Sequence, residues 1–396
     1  MLAILMLGVP CHAFKMGDGT DYKALRDDAE ATWRKPELDS DVIRFGDPIH
    51  EDMTFASIAM AMKRPDQMQC RASTMAVNEF LAKPDNPLLS HSMCCHKGAR
   101  SRVCNYLESR GELKPFADTA PPLISGVRWN DDPCHMTHQS ASRLSWGIWM
   151  LGVNYMRFNN VNYASHYHEK QFLHAMASAG RTEKDMAPDP AKQTRARILM
   201  WAEMALRVAN GSVSAQDKLG KLRDQLPSAA RPYFDLSFGN YRNRTVGMLF
   251  SGVDNPDPAQ LRQLALGALL HTVQDSFSSS HVERVNDPKQ SEFVPLIAGK
   301  GDIRRFLIYR GQDATEHGRA DRRPADLEGS EPGDLHPVAL GAQLLSCVAA
   351  AQSGADTLGS AMEVMMRTFR LADESVNLPS GPGRYARGRH GAGGGQ

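Results

Sequence analysis

The chain has 396 residues, 42% of them hydrophobic and 23% charged, with a formal net charge of +1. This is the composition of a folded globular chain, not of a disordered or collagen-like one. With a net charge of only +1 and no basic block, stable binding of duplex nucleic acid is not expected.

Residues 2–9 form a short apolar run, followed by Pro10, Cys11, His12 and Ala13. The run looks like a signal peptide cleaved after Ala13, although no Lys or Arg precedes it. It is too short to span a bilayer, and no later stretch is long and apolar enough. The expectation is an exported protein, secreted or periplasmic, lacking residues 1–13. Cys70, Cys94, Cys95, Cys104, Cys134 and Cys347 would then remain, an even count that permits disulfides of open connectivity.

Residues 14–49 are polar, with a short helix predicted over 27–33, and Gly46-Asp47-Pro48 breaks the chain just before His50. Helices are predicted over 53–62, 74–82 and 101–107. The apolar pattern over 141–158 predicts a long helix with Trp146, Trp149 and Val153 on its core face. Further helices are predicted over 169–179, 194–210, 215–226 and 257–278, with one or two more over 337–371. Strand signals are few. The fold class is therefore all-α, one large helical domain over 14–378. The Gly/Arg-rich tail 379–396 is expected to be disordered. No phosphate-binding loop, dinucleotide fingerprint, serine-hydrolase elbow or His-Glu-x-x-His helix is present.

The chain is organised around residues 261–284, LRQLALGALLHTVQDSFSSSHVER. Leu264, Gly267 and Ala268 lead into His271 and Asp275 on one helical face. At i and i+4 these two can grip one cation together. Ser278 to Ser280 would fray the helix and let His281 reach a neighbouring position. Buried without partners, such groups would each cost roughly 1–3 kcal/mol. His317 and Asp321 form another i, i+4 pair. Upstream stand His50 at a helix start, Asp131 after Arg128-Trp129-Asn130, and His166 in Ser165-His166-Tyr167-His168.

Taken in order, these residues resemble the zinc-dependent phospholipase C and P1-type nuclease superfamily. That family uses an N-terminal amine, a His, an Asp, a His, then His-x3-Asp-x5-His, then His-x3-Glu or Asp. The resemblance implies an all-α fold around a buried site for three zinc ions. Asp131, His166, His271 and Asp275 would hold one ion. Asp275 would bridge to a second, bound by His50 and the amine of Phe14. His281, His317 and Asp321 would hold the third. Asp132 competes with Asp131, and His168 or His174 with His166. His135 and His138 are read as surface or supporting residues.

The implied activity is a secreted phospholipase C. It would split phosphatidylcholine-like phospholipids at a membrane surface into diacylglycerol and a phosphorylated headgroup, with Asp131 and Asp275 as catalytic residues. A single-strand nuclease is the alternative. Asp321 matches the nuclease form, and Phe277 and Tyr167 are candidate base-stacking aromatics. A non-catalytic helical binding protein is the third reading.

Overall fold

A computed structural model describes residues 49–82, 121–131, 168–178, 188–251, 255–285, 301–321, 330–373 and 378–386. Phe14, Asp132, His135, His138, His166, Tyr167, the cysteines other than Cys70 and Cys347, and the helices expected over 27–33, 101–107 and 141–158 lie outside these residues. The described helices are α1 (Ile49–Lys63), α2 (Thr74–Leu81), α3 (Pro122–Arg128), α4 (Ala191–Ala209), α5 (Leu219–Gln225), α6 (Arg231–Phe238) and α7 (Val246–Phe250). They continue with α8 (Pro258–Asp275), α9 (Ala314–Ala320), α10 (Pro337–Gln352) and α11 (Leu358–Thr368). The fold is all-α apart from an antiparallel ribbon, β1 (Val282–Arg284) with β2 (Ile303–Phe306). No helix among the described residues is long and apolar enough to cross a membrane.

Helix α8 is the axis. Asp257 caps it, its carboxylate accepting from the Ala259 and Gln260 backbone N–H groups, and Pro258 occupies the first turn. From Leu264 to Asp275 every residue is buried, so the helix is covered on all sides. It meets α3 and α4 most extensively. The approach to α3 is glycine-dependent. A Cβ on Gly126 would lie 2.5 Å from the Leu264 carbonyl oxygen, and one on Gly267 would lie 2.6 Å from the Val127 nitrogen. Backbone therefore touches backbone at this crossing.

On the far side of the crossing, Trp129 stacks on Trp201 of α4 (5.7 Å, 12°), and Trp201 stacks on Phe250 (5.4 Å). Helix α1 is fixed to α3 by the buried ion pair of Glu51 and Arg128, 2.7 Å apart. Arg128, 1% exposed, is thus an interior tie.

Helix α10 packs on α1, α2 and α11, and a disulfide joins its Cys347 to Cys70. That bridge closes a loop with a sequence separation of 277 residues. By loop entropy it contributes about 5 kcal/mol. A reductant is expected to lower the denaturation midpoint. An unchanged midpoint would show that the bridge does not constrain the unfolded chain.

Three local expectations are corrected. The helix predicted over 169–179 is a short 3-10 turn, His168–His174. It stops because Ala175 adopts φ +51, and the chain then extends so that Ala177 N–H bonds the Leu307 carbonyl. The helix predicted over 215–226 is confined to Leu219–Gln225, because residues 215–218 pair with the segment entering α7. The tail expected to be disordered from 379 is folded as far as Ala386. Ile308 N–H bonds the Gly381 carbonyl, Asp313 N–H bonds the Tyr385 carbonyl, and Tyr385 is 8% exposed.

Candidate metal centre

Five imidazoles and three carboxylates converge at the end of α8. They come from α1 (His50), the turn after α3 (Asp131), the 3-10 turn (His174), α8 (His271 and Asp275), the turn after it (His281) and the α9 region (His317 and Asp321). All are buried except Asp131, whose side chain is 9% exposed. They form three groups whose ligating atoms lie within 4.8 Å of one another: His50, His271 and Asp275; Asp131, His174 and His271; and His281, His317 and Asp321.

Each element presents its residue for a local reason. His271 and Asp275 share a face one turn apart, with His271 Nε2 2.9 Å from Asp275 Oδ2. The other Asp275 oxygen faces His50 Nε2 at 3.5 Å. His174 is delivered by the 3-10 turn, which Thr272 and Asn130 anchor at the Leu173 carbonyl (2.8 and 2.7 Å). Its Nδ1 lies 2.8 Å from Asp275 Oδ2 and 3.1 Å from His271 Nε2. His281 and His317 bring their Nε2 atoms to 3.3 Å, and His317 Nε2 is 3.1 Å from Asp321 Oδ2. The hydroxyls of Ser278 and Ser280 both donate to Asp321 Oδ1, which leaves Oδ2 turned to the imidazoles. The serine run ends the helix as expected and also orients this carboxylate.

The outer ring nitrogens decide the protonation pattern. His271 Nδ1 donates to the Val127 carbonyl (2.7 Å), His281 Nδ1 to the His174 carbonyl (2.7 Å), and His174 Nε2 to the Asn130 carbonyl (3.2 Å). A backbone carbonyl can only accept, so each of these nitrogens carries the proton. His50 Nδ1 meets Gln274 Oε1 at 2.6 Å, and His317 Nδ1 meets Gln312 Oε1.

Both amides are locked in that sense. Thr54 spends its hydroxyl proton on the His50 carbonyl, so its oxygen must accept from Gln274 Nε2. Gln312 Nε2 donates to the Ser280 carbonyl. All five inner nitrogens therefore direct lone pairs at the three carboxylates and at one another.

Such a cluster needs positive charge inside it. Neighbouring ligand atoms around a tetrahedral ion with bonds of about 2.0–2.2 Å stand about 3.3–3.6 Å apart. The separations above fall near that range. Asp275 Oδ1 and Asp321 Oδ2 are buried and reach no hydrogen-bond donor among the described residues, as metal-ligating oxygens would. The residues fit metal ions.

Without a cation, protons take up part of that role. Burial works against a charged His271, yet the Asp275 and Asp131 carboxylates outweigh it and push its pKa up to about 9. Burial, then the neighbouring His271 charge, lowers His50. Burial would raise Asp275 and Asp321, but the adjoining imidazoles hold both below the usual carboxylate range. A metal taking His271 Nε2 must displace its proton. Binding near neutral pH is thus expected to release protons, and affinity to rise with pH until about 9. Calorimetry in buffers of different ionisation enthalpy measures this. A buffer-independent enthalpy would contradict it.

Every sequence-predicted ligand among the described residues is in the cluster: His50, Asp131, His271, Asp275, His281, His317 and Asp321. His174, an alternative to His166 on sequence, stands in it as well. Sequence reasoning missed Gln274 and Gln312, since a glutamine beside a ligand reads as ordinary polar filler. Supporting hydrogen bonds of this kind typically contribute 10–100-fold to metal affinity. Gln274→Leu and Gln312→Leu are each expected to weaken metal binding at these groups by that factor, read with added zinc by competition with a chromogenic chelator. Unchanged affinity in both would dismiss the assignment.

A scan of family models finds no match to this chain, and neither the curated proteins nor the solved structures give one.

Proposed function

We propose that the chain is a zinc-dependent phosphodiester hydrolase, an exported phospholipase C acting on phosphatidylcholine-like lipids. The observation that carries this reading is the inward lone-pair set of five imidazoles and three carboxylates, each ring fixed from outside. Mixed nitrogen and carboxylate donors suit zinc better than magnesium or calcium, and three groups suit three ions. The resemblance to the phospholipase C and P1-type pattern supplies the reaction class.

Bound zinc would make hydroxide available near neutral pH and draw charge from the phosphoryl oxygens. Asp131 is the most accessible carboxylate of the cluster, within 4.0 Å of His50, 3.8 Å of His174 and 3.9 Å of His271. It is placed to take the proton of the attacking water. Asp275 presents one oxygen to each of two groups and sets their spacing. Val127, His174 and Asn130 hold three rings by their carbonyls, so little rearrangement is left to the reaction step. The long-range disulfide accords with an oxidising compartment.

A single-strand nuclease on the same site is the second reading, supported by Asp321 in the last position. Phe277 does not serve it. The ring is 1% exposed and covered by the Arg284 guanidinium at 4.7 Å, so no base can stack there.

The test is incubation with phosphatidylcholine vesicles and, separately, with single-stranded DNA, alongside zinc analysis. Phosphocholine release without DNA cleavage supports the lipase. DNA cleavage alone selects the nuclease. A protein that purifies without stoichiometric zinc and cleaves neither is the helical binding protein.

A further inference from the structure

Behind the turn that carries His281, the ribbon and the folded tail enclose a separate cavity of about 320 Å³. No metal-centre residue lines it. One wall is β1 with Ser279, another is β2, and the third is the tail segment from Gly381 to Ala386. Ser279 and Tyr385 close the seam between the first and third walls with a 2.6 Å hydroxyl contact.

The charge in this cavity is lopsided. Arg284, Arg305 and Arg384 line it, against the single carboxylate of Glu283. Glu283 is engaged by Arg305 through Nε and Nη2. Arg284 is 2% exposed, and among the described residues its terminal nitrogens donate to neutral oxygens alone: the carbonyls of Gly301, Thr368 and Ser276, and the Ser276 hydroxyl. Its Nε has no hydrogen-bond partner among the described residues. Arg384 lies over its neighbour Tyr385, with Nε donating to the tyrosine oxygen. Three guanidiniums and one carboxylate leave two positive charges around a cavity whose remaining surface includes Val282, Leu307 and Pro382.

A buried guanidinium whose hydrogen bonds go to neutral oxygens rather than to a carboxylate is an expensive arrangement. Burial pulls the Arg284 pKa down to about 9, with Asp302 opposing. A dianion in the cavity would relieve it. Guanidinium forks match phosphate oxygens in geometry, and a phosphate monoester carries about −1.5 to −2 charge at neutral pH. The volume sits at the small end of ligand pockets, and the apolar patch suits a short carbon substituent.

We propose that this cavity is a binding site for a small phosphate monoester, distinct from the metal centre and independent of the activity assigned to it. Arg305 and Arg384 hold the phosphate at the mouth, and Arg284 supplies fixed positive charge at the back. Free inorganic phosphate and an esterified one share this chemistry.

The experiment is calorimetric titration of the zinc-loaded protein with inorganic phosphate and with phosphoethanolamine. The parent, the double variant Arg305→Gln/Arg384→Gln and Asp321→Asn are compared. The parent is expected to show a phosphate class that the double variant weakens at least tenfold at unchanged zinc content. Asp321→Asn, which keeps all three arginines and an amide oxygen for the Ser278 and Ser280 hydroxyls, should retain that class. Tighter binding of phosphoethanolamine than of phosphate identifies the ester as the ligand, and the reverse identifies the free ion. Parent and double-variant isotherms that superimpose, or loss of the class in Asp321→Asn alone, would overturn the proposal. The second result would place phosphate on the metals.

Discussion

Under the proposed function, Asp275→Asn is expected to abolish stoichiometric metal binding and to lower the proposed phosphodiesterase activity by roughly a hundred- to several-thousand-fold. Both oxygens of this carboxylate are committed, one to His50 at 3.5 Å and the other to His174 and His271 at 2.8 and 2.9 Å. Asparagine keeps the shape but replaces one acceptor with a donor and removes the charge. Breaking a buried ionic cluster from one side costs about 3–5 kcal/mol, which corresponds to that range of rates. Far-ultraviolet dichroism should stay near the parental spectrum while zinc content falls. A variant with parental zinc and parental turnover would remove Asp275 from the centre.

The second large effect is expected at a residue that touches no ligand atom. Gly267→Ala should lower stability by about 3 kcal/mol and reduce zinc content with it. On an exposed helix the same change would stabilise by about 1 kcal/mol, because alanine is the better helix former. Here the sign reverses. The new Cβ would lie 2.6 Å from the Val127 nitrogen and would collide with the Leu123 carbonyl oxygen as well. These are backbone atoms, which cannot rotate aside, so α3 and α8 must separate. Separation draws the Val127 carbonyl away from His271 Nδ1, a 2.7 Å bond that fixes the ring. Denaturant midpoint and zinc stoichiometry are the two readouts. A rise in midpoint with full zinc would show that the crossing tolerates a methyl group.

How far the sequence carries can be judged from particular residues. His271 and Asp275 were legible because an α-helix turns i and i+4 to one side whatever surrounds it. His317 with Asp321 follows the same rule, whereas His50 was legible only from its place at a helix start in the ordered series. That His174 stands in the cluster was not legible. His174 reaches the cluster through a 3-10 turn ended by a left-handed alanine, and Ala175 gives no sequence sign of φ +51. The ribbon was also missed, since Val282–Arg284 and Ile303–Phe306 are too short to show alternation. Arginines and glycines after 379 read as loose chain, while Ser380 donates to the Asp189 carbonyl and Tyr385 fills an apolar cluster with Met176, Leu307 and Tyr309. Tertiary partners decided each of these cases, and composition cannot reveal them.

The ligand atoms are drawn from positions as far apart as 50 and 321. A nascent chain cannot complete the third group until α9 has left the ribosome, nor mate α1 with α8 before the intervening segments are in place. Cation uptake by the proposed centre would therefore fall late in maturation, once these distant segments have met. It would act as a latch that favours finished molecules over partly folded ones. Chelator added during refolding should consequently lower the final yield far more than it slows the early gain of helix.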